Sequence, residues 1–395
     1  MRVDTTGRVP IKMWLDEIEE GALEQARNLS NLPFAYKHIA LMPDCHKGEG
    51  MPIGGVLAAD RVIVPGAVGV DIGCGMGAVR TTLIAADVRR EDLVKAHEGI
   101  KSVVPTGFNH HSEPQVWSGF AEAPDLPVIN RELESARHQL GTMGGNNHFM
   151  ELQKGSDGYV WVMIHSGSRN FGFKIAKEYE ERAKYLCKRW HSNIPDMDLA
   201  FLPIEERDAK EYIAAMNYAL MFAEANRALM MERIKAVFVD VFSGVGFSEG
   251  INIHHNYAAW ERHAGKDVLV HRKGATSARE GQLGIIPGDQ GSKSYIVRGL
   301  GCRESFMSCS HGAGRRMGRR QARRDLSLED EMRRMDSKGI IHSIKTTADL
   351  EEAPGSYKNI DDVMRNQADL VTVVVTLEPL AVIKARADEQ DRRER

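Results

Sequence analysis

The chain has 395 residues, 42% hydrophobic and 27% charged, with a formal net charge of −3. That length can bury a large core and allows two or three domains, while the charge excludes a globally basic nucleic-acid binder, so any polyanion must be held by a local patch. No stretch approaches the roughly 18 uninterrupted apolar residues of a membrane span, and MRVDTTGRVPIKMW has no secretory apolar region. Five cysteines, odd in number and without a CxxC pair, argue against a disulfide framework and for a reducing cytoplasm.

In chain order, the first thirty residues read as helix, because WLDEIEEGALEQARNLSNL repeats apolar residues at three-to-four spacing. From HIALMPDCHKGEG to GAVRTTLI, short apolar runs broken by glycine and proline predict strands and loops. YVWVMI, 159–164, predicts a strand running straight into HSGSRN. Residues 205–237 predict one long amphipathic helix whose methionine stripe belongs to packing. DVLVHR, KSYIVRGL and DLVTVVVTLEPLAVIK then read as strands. Chemistry-bearing residues scatter from 44 to 311 with no repeat or linker, so the expectation is one large mixed α+β domain. Central sheets with surrounding helices should span 1–395, with a charged flexible tail at 386–395.

The segment GVDIGCGMG, 69–77, sets Asp71 and Cys74 among four glycines. It admits three readings: a methyltransferase-type nucleotide loop, half of a metal site, or a plain turn. The nucleotide loop requires a helix after the glycines and an acidic residue about 20 positions on. Here AVRTTLI reads as a strand and no such acid follows. GDQGSKS also fails as a P-loop, because Ser292 separates Gly291 from Lys293.

Five of the fifteen histidines (His46, His148, His165, His255 and His311) lie in glycine, asparagine or serine contexts at strand ends, which leave backbone room for a metal or phosphate. His97, His138, His191, His263 and His342 have charged surroundings and read as solvated. Histidine, cysteine and aspartate make a transition-metal set, and softness alone favours zinc or iron over manganese. HSGSRN and HGAGRR each place an arginine four residues after a histidine, a fork suited to phosphate. Residues 311–338 carry nine Lys/Arg against five Asp/Glu, a local charge of +4 that fits a polyanion patch or a solvated helix face.

MPDCHKGEG, GVDIGCGMGAVR, GGNNHFMEL, HSGSR, HHNYA, RKGATSAREGQLGIIPGDQGSKSYIVRGLG, SCSHGAGR and YKNIDDVM together, and in this order, resemble the blocks of the RtcB family of RNA-splicing ligases. The likeness spans residues 11 to 385. It implies an RtcB-type fold and an enzyme that joins RNA 3′-phosphate or 2′,3′-cyclic phosphate ends to 5′-hydroxyl ends. GTP and two manganese ions would serve the reaction, through a guanylated histidine and an RNA(3′)pp(5′)G end. Carried over by position, Asp71, Cys74, His148, His165 and His255 match metal ligands, with Cys74 the bridge. His255 is preferred to His254 because it directly precedes asparagine. His311 matches the guanylated residue. Asn147, Phe149, Glu151, Asn256, Ser294, Tyr357 and Lys384 match positions holding the nucleotide. Arg169, Arg315, Asp44, His46 and Lys293 are assigned to RNA or phosphate contacts.

Two departures stand out. Lys384 is followed by alanine and a charged tail where the family usually stops, and Asn170 occupies a position where glycine is usual. A helper protein that stimulates guanylation is a further implied partner. A hydrolase acting on cyclic phosphates, an end-capping paralogue without sealing and a non-catalytic RNA binder remain as rivals. The complete ligand set with His311 and Lys384 argues against the binder.

Overall fold

The structure, a computed structural model, describes residues 1–385; the tail expected at 386–395 lies outside them. One sheet has six strands in the order Arg2–Asp4, Ile11–Met13, Ala35–His46, Ile53–Ala59, Lys266–Lys273, Asn256–His263. A second has seven, in the order Ile251–His254, Gly75–Ile84, Tyr159–Ser166, Phe149–Gly155, Val371–Ile383, Ser294–Gly299, Leu283–Ile286, and two small two-stranded sheets pair Ala275–Ser277 with Ser308–Ser310 and Val62–Ile63 with Leu202–Pro203. Neighbouring strands are antiparallel except where Ile11–Met13 meets Ala35–His46. The mixed α+β class expected from the sequence is what the chain adopts.

The long helix runs Arg207–Val241 and is the main packing element. Its first half buries Tyr212, Ala215 and Phe222 against Phe171, Ile175 and Tyr179 of the helix Arg169–Arg189. Its second half lays Met230, Ile234 and Phe238 on Val79, Val162 and Ile164 of the seven-stranded sheet and on Leu93, Ala96 and Ile100 of the helix Arg90–Val103. Met216, Met230 and Met231 are core residues, so the methionine stripe is packing.

The N-terminal reading needs correction. Only Glu20–Ser30 is helical, and the preceding Arg2–Asp4 and Ile11–Met13 pair as a hairpin that joins the six-stranded sheet. Tertiary pairing overrides the helical spacing there, because Trp14 and Leu15 bury into two different clusters rather than one helix face. His97 and His263 are also buried, not solvated: His263 Nε2 lies 3.0 Å from Glu261 and His97 Nδ1 2.9 Å from Glu98.

AVRTTLI is part of the strand Gly75–Ile84, paired on both sides by Ile251–His254 and Tyr159–Ser166. No helix follows the glycines, which removes the nucleotide-loop reading. Strand Ile251–His254 closes the edge of one sheet and Asn256–His263 closes the edge of the other. The chain crosses between sheets at a single residue, His255, and the site forms at this seam.

Candidate active site

Four of the five expected metal-ligating side chains sit at or beside a strand end, and Asp71 lies in the turn before Gly75–Ile84. Cys74 immediately precedes Gly75–Ile84, His148 immediately precedes Phe149–Gly155, and His165 is the penultimate residue of Tyr159–Ser166. The backbone ties them together: the His255 amide donates to the Cys74 carbonyl (2.9 Å), and the Gly73 amide to the Asn256 carbonyl (2.9 Å). Cys74 Sγ lies 3.4 Å from His148 Nε2 and 3.2 Å from His165 Nε2. Asp71 Oδ2 is 3.1 Å from His148 Nε2, and His255 Nε2 is 3.3 Å from His165 Nε2. Five side chains from four stretches of sequence thus converge.

The outer nitrogens fix the direction of two rings. A carbonyl only accepts, so His148 Nδ1–H donates to Met143 (2.9 Å) and His165 Nδ1–H to Asn147 (3.2 Å). Their Nε2 lone pairs therefore face inward, toward Cys74, Asp71 and His255. Burial pushes His165 and His255 well below the usual histidine range, so both rings are neutral. Burial and the adjacent Asp71 push the Cys74 thiol well up.

Beside this cluster stands His311, which follows the short strand Ser308–Ser310. Its ring centre is 4.8 Å from that of His255. Asp44, wholly buried, accepts three bonds on Oδ2: from His311 Nδ1 (2.6 Å), the His311 amide (3.0 Å) and the Gly312 amide (3.3 Å). Burial raises the Asp44 carboxyl, but His311, His46 and Lys358 together outweigh it and hold the group below its ordinary value. With Nδ1 committed to a carboxylate, Nε2 of His311 is the nitrogen left for chemistry.

A cavity of about 260 Å³ connects these groups. Asp71, Cys74, His165, His255 and His311 line it, and so do the expected nucleotide positions Asn147, Phe149, Glu151, Asn256, Tyr357 and Lys384. His46 and Arg315 line it as well. Arg169 does not; it opens on a second cavity that shares Val70, Asp71 and Asn147 with the first. Ser294 lies one layer behind, where its hydroxyl accepts from Gln153 (3.3 Å) and from the Gly288 amide (3.1 Å). Lys293, in the loop just before the strand Ser294–Gly299, is exposed and faces a separate cavity with Lys338 and Asp361. Asp44 is not placed to touch phosphate: its carboxylate is beneath His311, where both backbone amides and the ring cover it. Arg315 has its fork taken up by Glu352 (3.1 Å), the Glu351 carbonyl (2.7 Å) and the Met317 carbonyl (3.1 Å).

A family model described as tRNA-splicing ligase RtcB matches residues 25–123 and 116–385. The chain belongs to the RtcB family. It is 39% identical to RNA-splicing ligase RtcB of Escherichia coli K12, over 96% of this chain and 98% of that one. It is 33% identical to tRNA-splicing ligase RtcB of Pyrobaculum aerophilum, over 95% of each chain, and 30% identical to that of Thermococcus kodakarensis, over 97% and 96%.

The residues of this RtcB chain fit a metal. Donor atoms of Cys74, His148 and His165 lie within 4.8 Å of one another, all buried. Acceptor lone pairs point at one another with too few protons to share, and His255 Nδ1 is buried without a partner. Such a set is relieved by a cation, which also converts the thiol to a thiolate ligand.

Two RtcB residues beyond the sequence reading also shape the cavity. Glu352 gathers Arg315, Arg319 (3.3 Å), the Tyr357 hydroxyl and Lys384 Nζ (3.5 Å). Burial raises its carboxyl, but Lys384, Arg319 and Arg315 outweigh this and hold it below its ordinary value. Lys273 also lines the cavity, donating to the carbonyls of Glu49 and Gly66 (3.0 Å), and burial lowers it to about 8. DLEEAP carries no motif around Glu352, and only the place of Lys273 between Arg272 and a glycine hinted at a site.

Proposed function

We propose that this ligase joins RNA ends bearing a 3′-phosphate or 2′,3′-cyclic phosphate to 5′-hydroxyl ends, consuming GTP, with manganese at the Cys/His/Asp cluster. The whole span 1–395 acts as one ligase domain on this reading. The observation that carries it is His311: Nδ1 fixed by a buried carboxylate and Nε2 free, at the edge of a cavity next to the metal-capable cluster.

His311 acts as nucleophile. Its Nε2 attacks the α-phosphorus of GTP; the N–P bond forms, the α–β bridging P–O bond breaks, and pyrophosphate leaves. Asp44 holds the ring in the required tautomer and stabilises the cationic imidazole of the guanylated state. An oxygen of the RNA 3′-phosphate then takes the guanylyl group, breaking the N–P bond and restoring His311. The 5′-hydroxyl of the second end attacks the activated 3′-phosphorus, losing its proton, and GMP departs. Metal held by Asp71, Cys74, His148, His165 and His255 would supply charge neutralisation at the phosphate oxygens and a water activated to open a cyclic phosphate. Glu151, protonated by burial, and Lys384 border the base end of the cavity; Phe149, with Lys384 Nζ 5.8 Å from its ring centre, offers a stacking face. Arg169, half-buried and donating to Thr142 Oγ1 (3.1 Å), supplies a cation on the Asp71 side for the incoming RNA end.

The test is covalent labelling. Protein incubated with α-labelled GTP and manganese should acquire label that survives alkali and is lost in acid, as a phosphoramidate is. His311→Ala should acquire none. Absence of label on the wild-type protein leaves a hydrolase or a binder, and label persisting in His311→Ala moves the nucleophile elsewhere.

A further inference from the structure

Asn226 and Arg227 are adjacent on the helix Arg207–Val241, and both are wholly buried. One terminal nitrogen of Arg227 donates to the carbonyls of Gly73 (2.8 Å) and Ser166 (2.9 Å). Its Nε donates to Asn252 Oδ1 (2.7 Å) and its other terminal nitrogen to His254 Nδ1 (3.0 Å). Gly73 precedes Cys74, Ser166 follows His165, and His254 precedes His255. Asn226 Oδ1 accepts from the amides of Gly141 (2.7 Å) and Thr142 (3.1 Å). Its Nδ2 donates to the Thr142 carbonyl (3.2 Å), the Gly167 carbonyl (3.1 Å) and Ser166 Oγ (3.0 Å). Ser166 Oγ in turn donates to the Met143 carbonyl (2.8 Å), the same carbonyl that receives His148 Nδ1–H.

All four acceptors of Arg227 are neutral. A guanidinium buried against neutral partners carries a large desolvation cost, and a methionine of similar length would avoid it. What the guanidinium supplies instead is geometry: a rigid planar fork reaching three separate chain segments at once, which a lysine point charge does not reproduce.

We propose that Asn226 and Arg227 are a positioning pair that sets the spacing of Cys74, His148, His165 and His255 by suspending their four chain segments from one turn of the long helix. Neither residue touches the reacting groups; they act through the backbone on either side of each ligand. The inference rests on the metal reading above, and its test requires no RNA joining.

The full chain is titrated with Co2+ alone, following the thiolate-to-cobalt absorption in the near ultraviolet, which reports Cys74 ligation. Arg227→Lys, which keeps the cation and removes the fork, should bind Co2+ about 10-fold more weakly with a diminished band. Ile234→Ala, a core truncation two turns along the same helix, should lower thermal stability yet keep wild-type affinity and band. Wild-type binding by Arg227→Lys, or an equal loss in Ile234→Ala, overturns the pair's role. If Arg227→Lys does not fold, Asn252→Ala replaces it: Asn252 is exposed, and its loss frees the Nε anchor together with one bond to the Glu224 carbonyl (3.1 Å). A drop of about 3-fold is expected there, and unchanged affinity overturns the proposal. A wild-type chain with no cobalt band defeats the metal reading itself, and this inference with it.

Discussion

His311 and Asp44 are separated by 267 positions in sequence and by 2.6 Å in space. The carboxylate does two jobs: it selects which ring nitrogen is protonated, and through the two amides it sets the turn on which the ring stands. Asp44→Asn keeps the shape and removes the charge that, in the proposed mechanism, stabilises the cationic ring of guanylated His311. It should slow guanylation of His311 by about 100-fold or more while changing GTP affinity by less than about 3-fold. Single-turnover labelling and equilibrium binding separate the two; equal losses in both would make Asp44 merely structural. Glu151 gives a pH prediction. Burial raises its carboxyl from 4.5 to about 8, with Asp289 adding to the rise and Lys384 opposing it. Between those values the folded chain holds a proton that the unfolded chain has released. Stability therefore falls as pH rises through that window. Glu151→Gln should flatten the fall in denaturant midpoints measured from pH 5 to 8.5; an unchanged slope would place the proton elsewhere.

The strand Gly75–Ile84 shows why the glycines of GVDIGCGMG are where they are. Gly73 has φ +76°, a left-handed turn that aims the following Cys74 inward. Gly75 has no such backbone need; a Cβ there would collide with the Ile253 carbonyl oxygen of the paired strand. Gly75→Ala should cost about 2 kcal/mol of stability by forcing that pair apart, whereas Gly318→Ala, with open space around it, should change stability by only a few tenths. Equal effects by chemical denaturation would deny the close approach. The contrast also marks what could be read in advance. Local signals survive folding: glycine and asparagine beside His148, His165 and His255 marked strand ends with room for a ligand, and the β-branched run after Gly77 marked a strand. Residues whose role is a long-range bond left no local trace. Asp44 looked like a phosphate contact because it sits in a histidine and lysine loop, yet folding covers it. Glu352 and Arg227 occupy an ordinary acidic turn and an ordinary helix. Lys293 and Ser294 are neighbours in sequence, yet Lys293 stays in the exposed loop before the strand while Ser294 is buried at the strand's first position.

Across the whole molecule, the site spans two sheets that also share a buried core, in which Ala40, Val56 and Val270 of one cluster with Ile286, Val297 and Val371 of the other. Cys74 and His148 adjoin strands of the seven-stranded sheet and His165 lies on one, His255 is the crossing residue, and Asp44, beneath His311, lies on the strand Ala35–His46 of the six-stranded one. A cation bound by these side chains would favour the state in which the sheets are docked, since an unfolded chain cannot present donors from positions 71 to 255 together. Binding to the folded state alone stabilises it by about 2.7 kcal/mol at a metal concentration 100 times Kd. For a chain of this size that corresponds to a rise in Tm of about 3–5 °C. Manganese should produce it, a chelator should reverse it, and Cys74→Ala should lose most of it while folding normally in chelator. The shift is concentration-dependent, so a titration distinguishes it from a salt effect, which magnesium at the same concentration would mimic and cysteine replacement would leave untouched. If Cys74→Ala gains as many degrees as the unaltered chain, the stabilising metal is held elsewhere, and the convergence of sulfur and imidazoles at the seam is then a feature of packing rather than of metal binding.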